Sequence, residues 1–431
     1  MATVHEVFTP NDVPTYTYVD RSTLKLEQKL RDALQMSNML VSLSGPSKSG
    51  KTVLVKKVIT DDQIIPLSGA AIKKAEQLWE QALQWMGTSA SVSRASATTG
   101  NINLDGKISG SAGIPLIAKA TVEGSLGGSA SRQVTITETE RMSVFQQIIH
   151  EIGSSDFVIF VDDFHYIDRG IQVELGKQIK ALVESKVKIC LASVPHRVDD
   201  AVRSNPELSG RVAGVKLEYW NNDDLRVIAL RGCKTLNIDL ANNVIERLAK
   251  ESFGIPQLMQ SLCLNLCLEL GIRETAVEQK RIEVSDSEFA QTLERTSDFT
   301  DYSSVVQGLH SGPKERGTER KQFKLIDDTV GDVYRCVLTA IRQDPPSLSF
   351  TYDDIMVRIR KICVGESPVG SSVANALTQM QTLSTSLSPN VPLIDWNENV
   401  LGVVEPYFLF FLRASRKLER VAPVTSPLAT Q

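Results

Sequence analysis

The stretch VSLSGPSKSGKTVL, Val41 to Leu54, is the end of an apolar run, then a Gly-Pro-Ser-Lys-Ser-Gly-Lys-Thr loop, then the start of a helical pattern. The loop fits the phosphate-binding pattern G-x-x-x-x-G-K-[ST] at every position. Gly45 and Gly50 let backbone N–H groups turn inward on an anion without a Cβ in the way, and Pro46, Ser47, Lys48 and Ser49 form the span between them. Lys51 is spaced to reach β- and γ-phosphates, and the Thr52 hydroxyl to hold Mg²⁺. With Val53 they open a helix whose positive end adds to the same anion site. The flanks agree. NMLVSLS (Asn38 to Ser44) reads as a short buried strand and KTVLVKKVI (Lys51 to Ile59) as an amphipathic helix.

A nucleotide site needs a second strand that carries carboxylates. DFVIFVDDFHYID (Asp156 to Asp168) supplies it: the apolar run Phe157 to Val161 ends in Asp162 and Asp163, about a hundred residues after the loop. In this fold class the first acid holds magnesium through water and the second polarises the attacking water. Loop and acidic strand together define a P-loop NTPase.

At 431 residues the chain is long enough for two or three domains, and a net charge of −4 provides no global field toward nucleic acid or an anionic membrane. Six cysteines form no CxxC pair; Cys263 and Cys267 share a helix face at i, i+4 and read as buried thiols. With no basic-then-apolar leader and no run of membrane-spanning length, a cytoplasmic protein is expected.

Residues 1–20 read as an extended lead-in, and RSTLKLEQKLRDALQ (Arg21 to Gln35) as a helix. Strand and helix then alternate through QIIPLS, KKAEQLWEQALQWMG, the Asp162 strand, Gln172 to Glu184, KVKICLAS and RVAGVKLEYW, which predicts a parallel sheet within 21–220. An insertion at 88–135, rich in Ser, Ala, Gly and Thr, reads either as a flexible surface segment or as a β-hairpin arm for neighbouring subunits. Residues 221–297 read as wholly helical, 298–324 as a Gly-rich basic linker, and 417–431 as a disordered tail. In 325–416, three helical patterns and PLIDWNENVLGVVEP, with NEN as a turn, predict a winged helix.

On the loop Gly45 to Thr52, the FVIFVDD strand and FGIPQLM (Phe253 to Met259), the chain resembles the AAA+/STAND superfamily of P-loop ATPases, as in bacterial signal-transduction and origin-recognition-like ATPases. The likeness runs from about Val19 to Ala414. It implies an α/β P-loop domain, a helical lid opened by Gly-x-Pro with Pro256 near the adenine, and a following winged helix. It also implies a polar sensor at Ser193 and, at Arg211, an arginine that reaches a neighbour's γ-phosphate, against the plainer reading of a surface arginine. His196 and Arg197 are weaker candidates to face the phosphates, and His165 reads as a packed or solvent-facing histidine. One departure matters: Asp162-Asp163 stands where AAA+ enzymes usually carry Asp-Glu, which suits slow, switch-like hydrolysis.

The expected function is an ATP- and Mg²⁺-dependent ATPase acting as an oligomerising switch. The resemblance extends this to a homo-oligomeric sensor with a separately encoded effector, as in bacterial antiphage defence. A DNA-associated loader or transposition regulator and a non-hydrolysing ATP-binding scaffold stay open as alternatives. The expected recognition helix, Ser371 to Leu387, has no Lys or Arg, and the wing carries Asp395 and Glu398, so DNA is not the favoured partner.

Overall fold

In a computed structural model, residues 1–87, 144–194, 208, 210–314, 320–388 and 393–421 are described. The insertion expected at 88–135 and the candidates His196 and Arg197 lie outside these residues. The chain divides into two compact units: one of residues 25–45 and 54–217, the other of residues 1–24, 46–53 and 218–431.

The chain opens with α1 (Val4–Val7) and continues through α2 (Leu26–Gln35), β1 (Leu40–Ser44), α3 (Lys51–Val58), β2 (Ile64–Ser68), α4 (Ala75–Trp85), α5 (Val144–Ile152), β3 (Val158–Asp162), α6 (Arg169–Glu184), β4 (Lys188–Ser193) and β5 (Val212–Lys216). The five strands make one sheet in the order β2-β3-β4-β1-β5, and every pairing is parallel. This is the P-loop NTPase α/β sheet. β1 is buried along its whole length, as parallel strands covered on both faces must be. A core of Leu40, Ile65, Trp79, Leu83, Ile159, Phe164 and Leu182 packs the helices on the sheet. The topology also locates a crevice. From β1 the chain crosses to β2 at one edge of the sheet, and from β4 to β5 at the other. The carboxyl ends of the adjacent strands β1 and β4 are therefore a topological switch point, where ligands of such sheets bind.

The larger unit continues through α7 (Asn222–Leu236), β6 (Ile238–Leu240), α8 (Asn242–Glu251), α9 (Pro256–Glu269), β7 (Lys280–Ile282), α10 (Asp286–Ser297), α11 (Ser303–Ser311), β8 (Phe323–Lys324), β9 (Val330–Gly331), α12 (Val333–Ile341), β10 (Ser349–Thr351), α13 (Tyr352–Ile362), α14 (Gly370–Leu387), β11 (Ile394–Asn397), β12 (Val400–Val403), α15 (Pro406–Ala414) and α16 (Lys417–Arg420). α7 to α10 bury one core around Leu225, Leu248, Leu258 and Leu262, and Val4, Val7 and Phe8 complete it. The lead-in therefore packs into this core rather than lying extended over it. Pro256 is the first residue of α9, where its missing N–H costs nothing. The segment 221–297 is not wholly helical: β6 and β7 form a parallel pair.

From α12 to β12 the order is helix, strand, helix, helix, hairpin, the order expected of a winged helix, with β10-β12-β11 as its sheet. The hairpin turns at Glu398 and Asn399, both at positive φ, which suits a tight two-residue connection. Two further expectations need correction. Residues 303–311, read as linker, form α11, whose Val305, Val306 and Leu309 are buried in the C-terminal core. Residues 417–420, read as tail, form α16 with Leu418 buried. In α11 three well-spaced apolar side chains outweigh polar flanks, and in α16 the single Leu418 does so.

α15 was not foreseen. Its sequence, PYFLFFLRA, is apolar on every face, so no amphipathic period marks it. Phe408, Leu409, Phe411 and Leu412 enter the C-terminal core, while Tyr407 and Phe410 enter the α7–α10 core. At its end Arg413 pairs with Glu251 at 2.8 Å and Asp344 at 2.9 Å.

Candidate nucleotide site

The loop after β1 starts from a fixed point: the Gly45 amide donates to the Ser193 carbonyl at 3.2 Å. Ser44 and Ser193 are paired residues at the ends of β1 and β4. Beyond Gly45 the loop bends with Lys48 at φ +59° and Gly50 at φ +98°. A side chain at Gly50 would meet no atom within 4 Å, so it is the backbone conformation that requires glycine there. Lys51 is only 7% exposed, and its Nζ donates to the Pro46 carbonyl at 2.8 Å. The Ser49 hydroxyl is buried with no hydrogen-bond partner among the described residues, while its carbonyl accepts from Trp220 Nε1 at 3.1 Å. A curled backbone, a buried ammonium and a buried hydroxyl make a donor set suited to phosphate oxygens. Thr52 and Val53 lie in the first turn of α3.

Two strands away, β3 ends at Asp162, opposite Ser68 of β2. The Asp163 amide donates to Asp162 Oδ1 at 2.9 Å, and Asp163 stands at φ +56°. The charge of Asp162 is felt within the sheet: the Cys190 thiol of β4 is pushed up, first by burial and then by this carboxylate. Ser44, Asp162 and Ser193 thus end three strands at the same, carboxyl, edge. The acidic pair also has a steric dependence. A Cβ at Gly69 would sit 2.5 Å from the Asp163 carbonyl oxygen. Gly69→Ala is expected to lower stability by about 1–3 kcal/mol through overpacking and to slow any reaction that uses Asp163. An unchanged melting temperature would show that the backbone yields freely here.

Pro256 opens α9, preceded by Phe253 at φ +48° and Gly254 at φ +75°. A Cβ at Gly254 would lie 2.9 Å from the Cβ of Tyr219, so both φ and space demand glycine. Arg211 sits just before β5, where its carbonyl accepts from the Leu40 amide at 2.8 Å, and its guanidinium pairs with Glu184. It therefore lies at the amino edge of the sheet, opposite the end from which the loop departs. His165 is buried against Tyr166, with ring centroids 4.2 Å apart, as a packed histidine. Five of the six cysteines are buried and Cys363 is half-buried. Among the described residues, no group of three or more His, Cys, Asp or Glu is placed to hold a metal. Sequence reasoning missed Trp220, Glu405 and Tyr407, which all touch the loop; nothing in their local sequence marks them.

No protein-family model matches the chain. Among solved structures it is similar to a Walker-type ATPase of Pyrococcus abyssi, at 15% identity over 94% of this chain and 100% of that one, with a TM-score of 0.48. It is also similar to the ORC2 protein of Aeropyrum pernix, described as ADPNP-ADP complexes, at 9% identity over 96% and 97%, with a TM-score of 0.48. A third likeness is to Cdc6p from Pyrobaculum aerophilum, at 10% identity over 96% and 98%, with a TM-score of 0.41. Likenesses this distant leave the chain's own geometry to support a function. No helix among the described residues is long and apolar enough to cross a membrane.

Proposed function

We propose that the chain is an ATPase of AAA+ type that works as a nucleotide-dependent switch. One observation supports this above the others: a P-loop with a buried lysine leaves the strand at the sheet's switch point. In this reading Gly45 to Val53 bind ATP, with Lys51 on the β- and γ-phosphates. Thr52 and Asp162 would hold Mg²⁺, which would supply positive charge to offset that of the phosphates. Asp163 polarises the attacking water, Ser193 faces the γ-phosphate, and Pro256 sets the lid helix near the base. Functionally, 21–220 form the ATPase domain, 221–297 the lid and 325–416 the winged helix.

The finer reading is a STAND-like homo-oligomeric sensor that acts with a separately encoded effector, as in antiphage defence. The Asp162-Asp163 pair supports slow turnover. The C-terminal domain supports a protein-facing role: α14 carries no basic residue, and Arg358 of α13 is engaged by the carbonyls of Gln343 at 2.7 Å and Ala340 at 3.3 Å. An arginine tied to backbone is lost to DNA phosphates, which disfavours a DNA loader.

The acids provide the test. Asp163→Asn is expected to keep ATP affinity and lower turnover about a hundredfold, in the range lost with a general base. Asp162→Asn is expected to lose the magnesium dependence of binding. Wild-type phosphate release from Asp163→Asn would remove it from the reaction.

A further inference from the structure

The phosphate loop is gripped from the C-terminal fold. Lys48, at left-handed φ, extends its ammonium to Glu405 Oε1 at 3.2 Å, and the same nitrogen lies 4.0 Å from the centroid of the Tyr407 ring. The Glu405 carboxylate is buried, while Lys48 keeps about a third of its side chain exposed. The carboxylate is itself held by α15, where it caps the helix by accepting from the Tyr407 amide at 3.1 Å. Its charge reaches the phenols of Tyr407 and Tyr219, both pushed up, primarily by burial. One buried acid thus joins the start of α15 to the middle of a loop whose chemistry is anion binding.

We propose that Glu405 and Tyr407 latch Lys48, and that the phosphates of a bound nucleoside triphosphate compete with Glu405 for its ammonium. The inference rests on the nucleotide-binding role proposed above. A cation that serves a carboxylate in one state and phosphate in the other has differential contacts in the two, which is what coupling requires. Coupling is reciprocal: the latch weakens nucleotide binding, and nucleotide loosens the start of α15.

The full chain tests this with a fluorescent ATP analogue. Glu405→Gln keeps an acceptor for the Tyr407 amide and removes the charge. It is expected to bind the analogue more tightly by on the order of five- to tenfold, the lower part of the range of ordinary allosteric couplings. In a Lys48→Met background the same change should have no effect. Equal or weaker binding by Glu405→Gln, or the same gain without Lys48, overturns the latch. Hydrogen exchange of the wild-type chain is a second measurement that needs no variant. Saturating ATP should speed exchange of the Tyr407 amide and of the Glu405 and Phe408 amides beside it, and unchanged or slower exchange overturns the proposal. If the wild-type chain takes up no nucleotide, the proposed function falls with the latch. If it binds nucleotide and the two readouts fail, the latch falls alone.

Discussion

Lys51→Ala is expected to weaken ATP binding by roughly a hundred- to a thousandfold. The Lys51 ammonium is buried inside the loop, with Nζ on the Pro46 carbonyl at 2.8 Å. A phosphate entering the loop meets it with little water between them. Removing one member of a buried charge pair costs about 2–5 kcal/mol, and each 1.4 kcal/mol or so is tenfold in affinity. Nucleotide at a hundred times its dissociation constant should stabilise the wild-type chain by about 2.7 kcal/mol. The variant should show no such thermal shift under the same conditions. Equal shifts in the two proteins would mean that the loop is not the nucleotide site.

Arg211→Ala is expected to leave ATP binding intact and to lower turnover, by on the order of a thousandfold where hydrolysis is efficient and by less in a slow switch. Within one subunit this arginine cannot serve its own site. It stands beside Leu40 at the amino end of β1, while the loop leaves after Ser44, roughly 15 Å away along the strand. Any role at the phosphates is therefore open to it only in trans. Wild-type specific activity should rise with protein concentration, and Arg211→Ala should lose the rise. Mixing Arg211→Ala with Lys51→Ala should restore activity, since each supplies the half that the other lacks. The pairing with Glu184 sharpens the test: a neighbour must win the guanidinium from a half-exposed carboxylate, an exchange with small cost in water. Flat activity with concentration, together with wild-type turnover in Arg211→Ala, rejects the shared site.

The sheet and its loop were legible because their signals are local. β1, the loop and α3 are contiguous, β3 announces itself as an apolar run closed by two acids, and Pro256 is itself the first residue of the helix that it starts. Local signals fail where a segment is buried on all sides or its partner is far along the chain. α15 has no polar face to give a period, so its helical nature cannot be read from alternation. α11 lies between a polar turn and a basic stretch, and composition hid the spacing of Val305, Val306 and Leu309. β6 and β7 are three-residue strands, 40 residues apart, too short to carry a pattern. The contact of Lys48 with Glu405 spans 357 positions, and neither residue's neighbours hint at the other. Site chemistry is therefore readable where backbone conformation creates it, and hidden where tertiary packing brings it together.

α15 has a bearing on how the chain can be cut. A C-terminal domain appended to a helical one would ordinarily be removable at the joint between them. Here the helix that follows the wing places Phe408 and Phe411 in one core and Tyr407 and Phe410 in the other. Ending the chain before residue 406 would uncover both at once, with roughly 2–3 kcal/mol of burial lost for each large aromatic side chain. α15 thus acts as a keystone: the α7–α10 core and the C-terminal core should melt in a single transition and refold only when residues 406–414 are present. A fragment that stops after the wing should be insoluble, even though it retains every residue of the nucleotide loop.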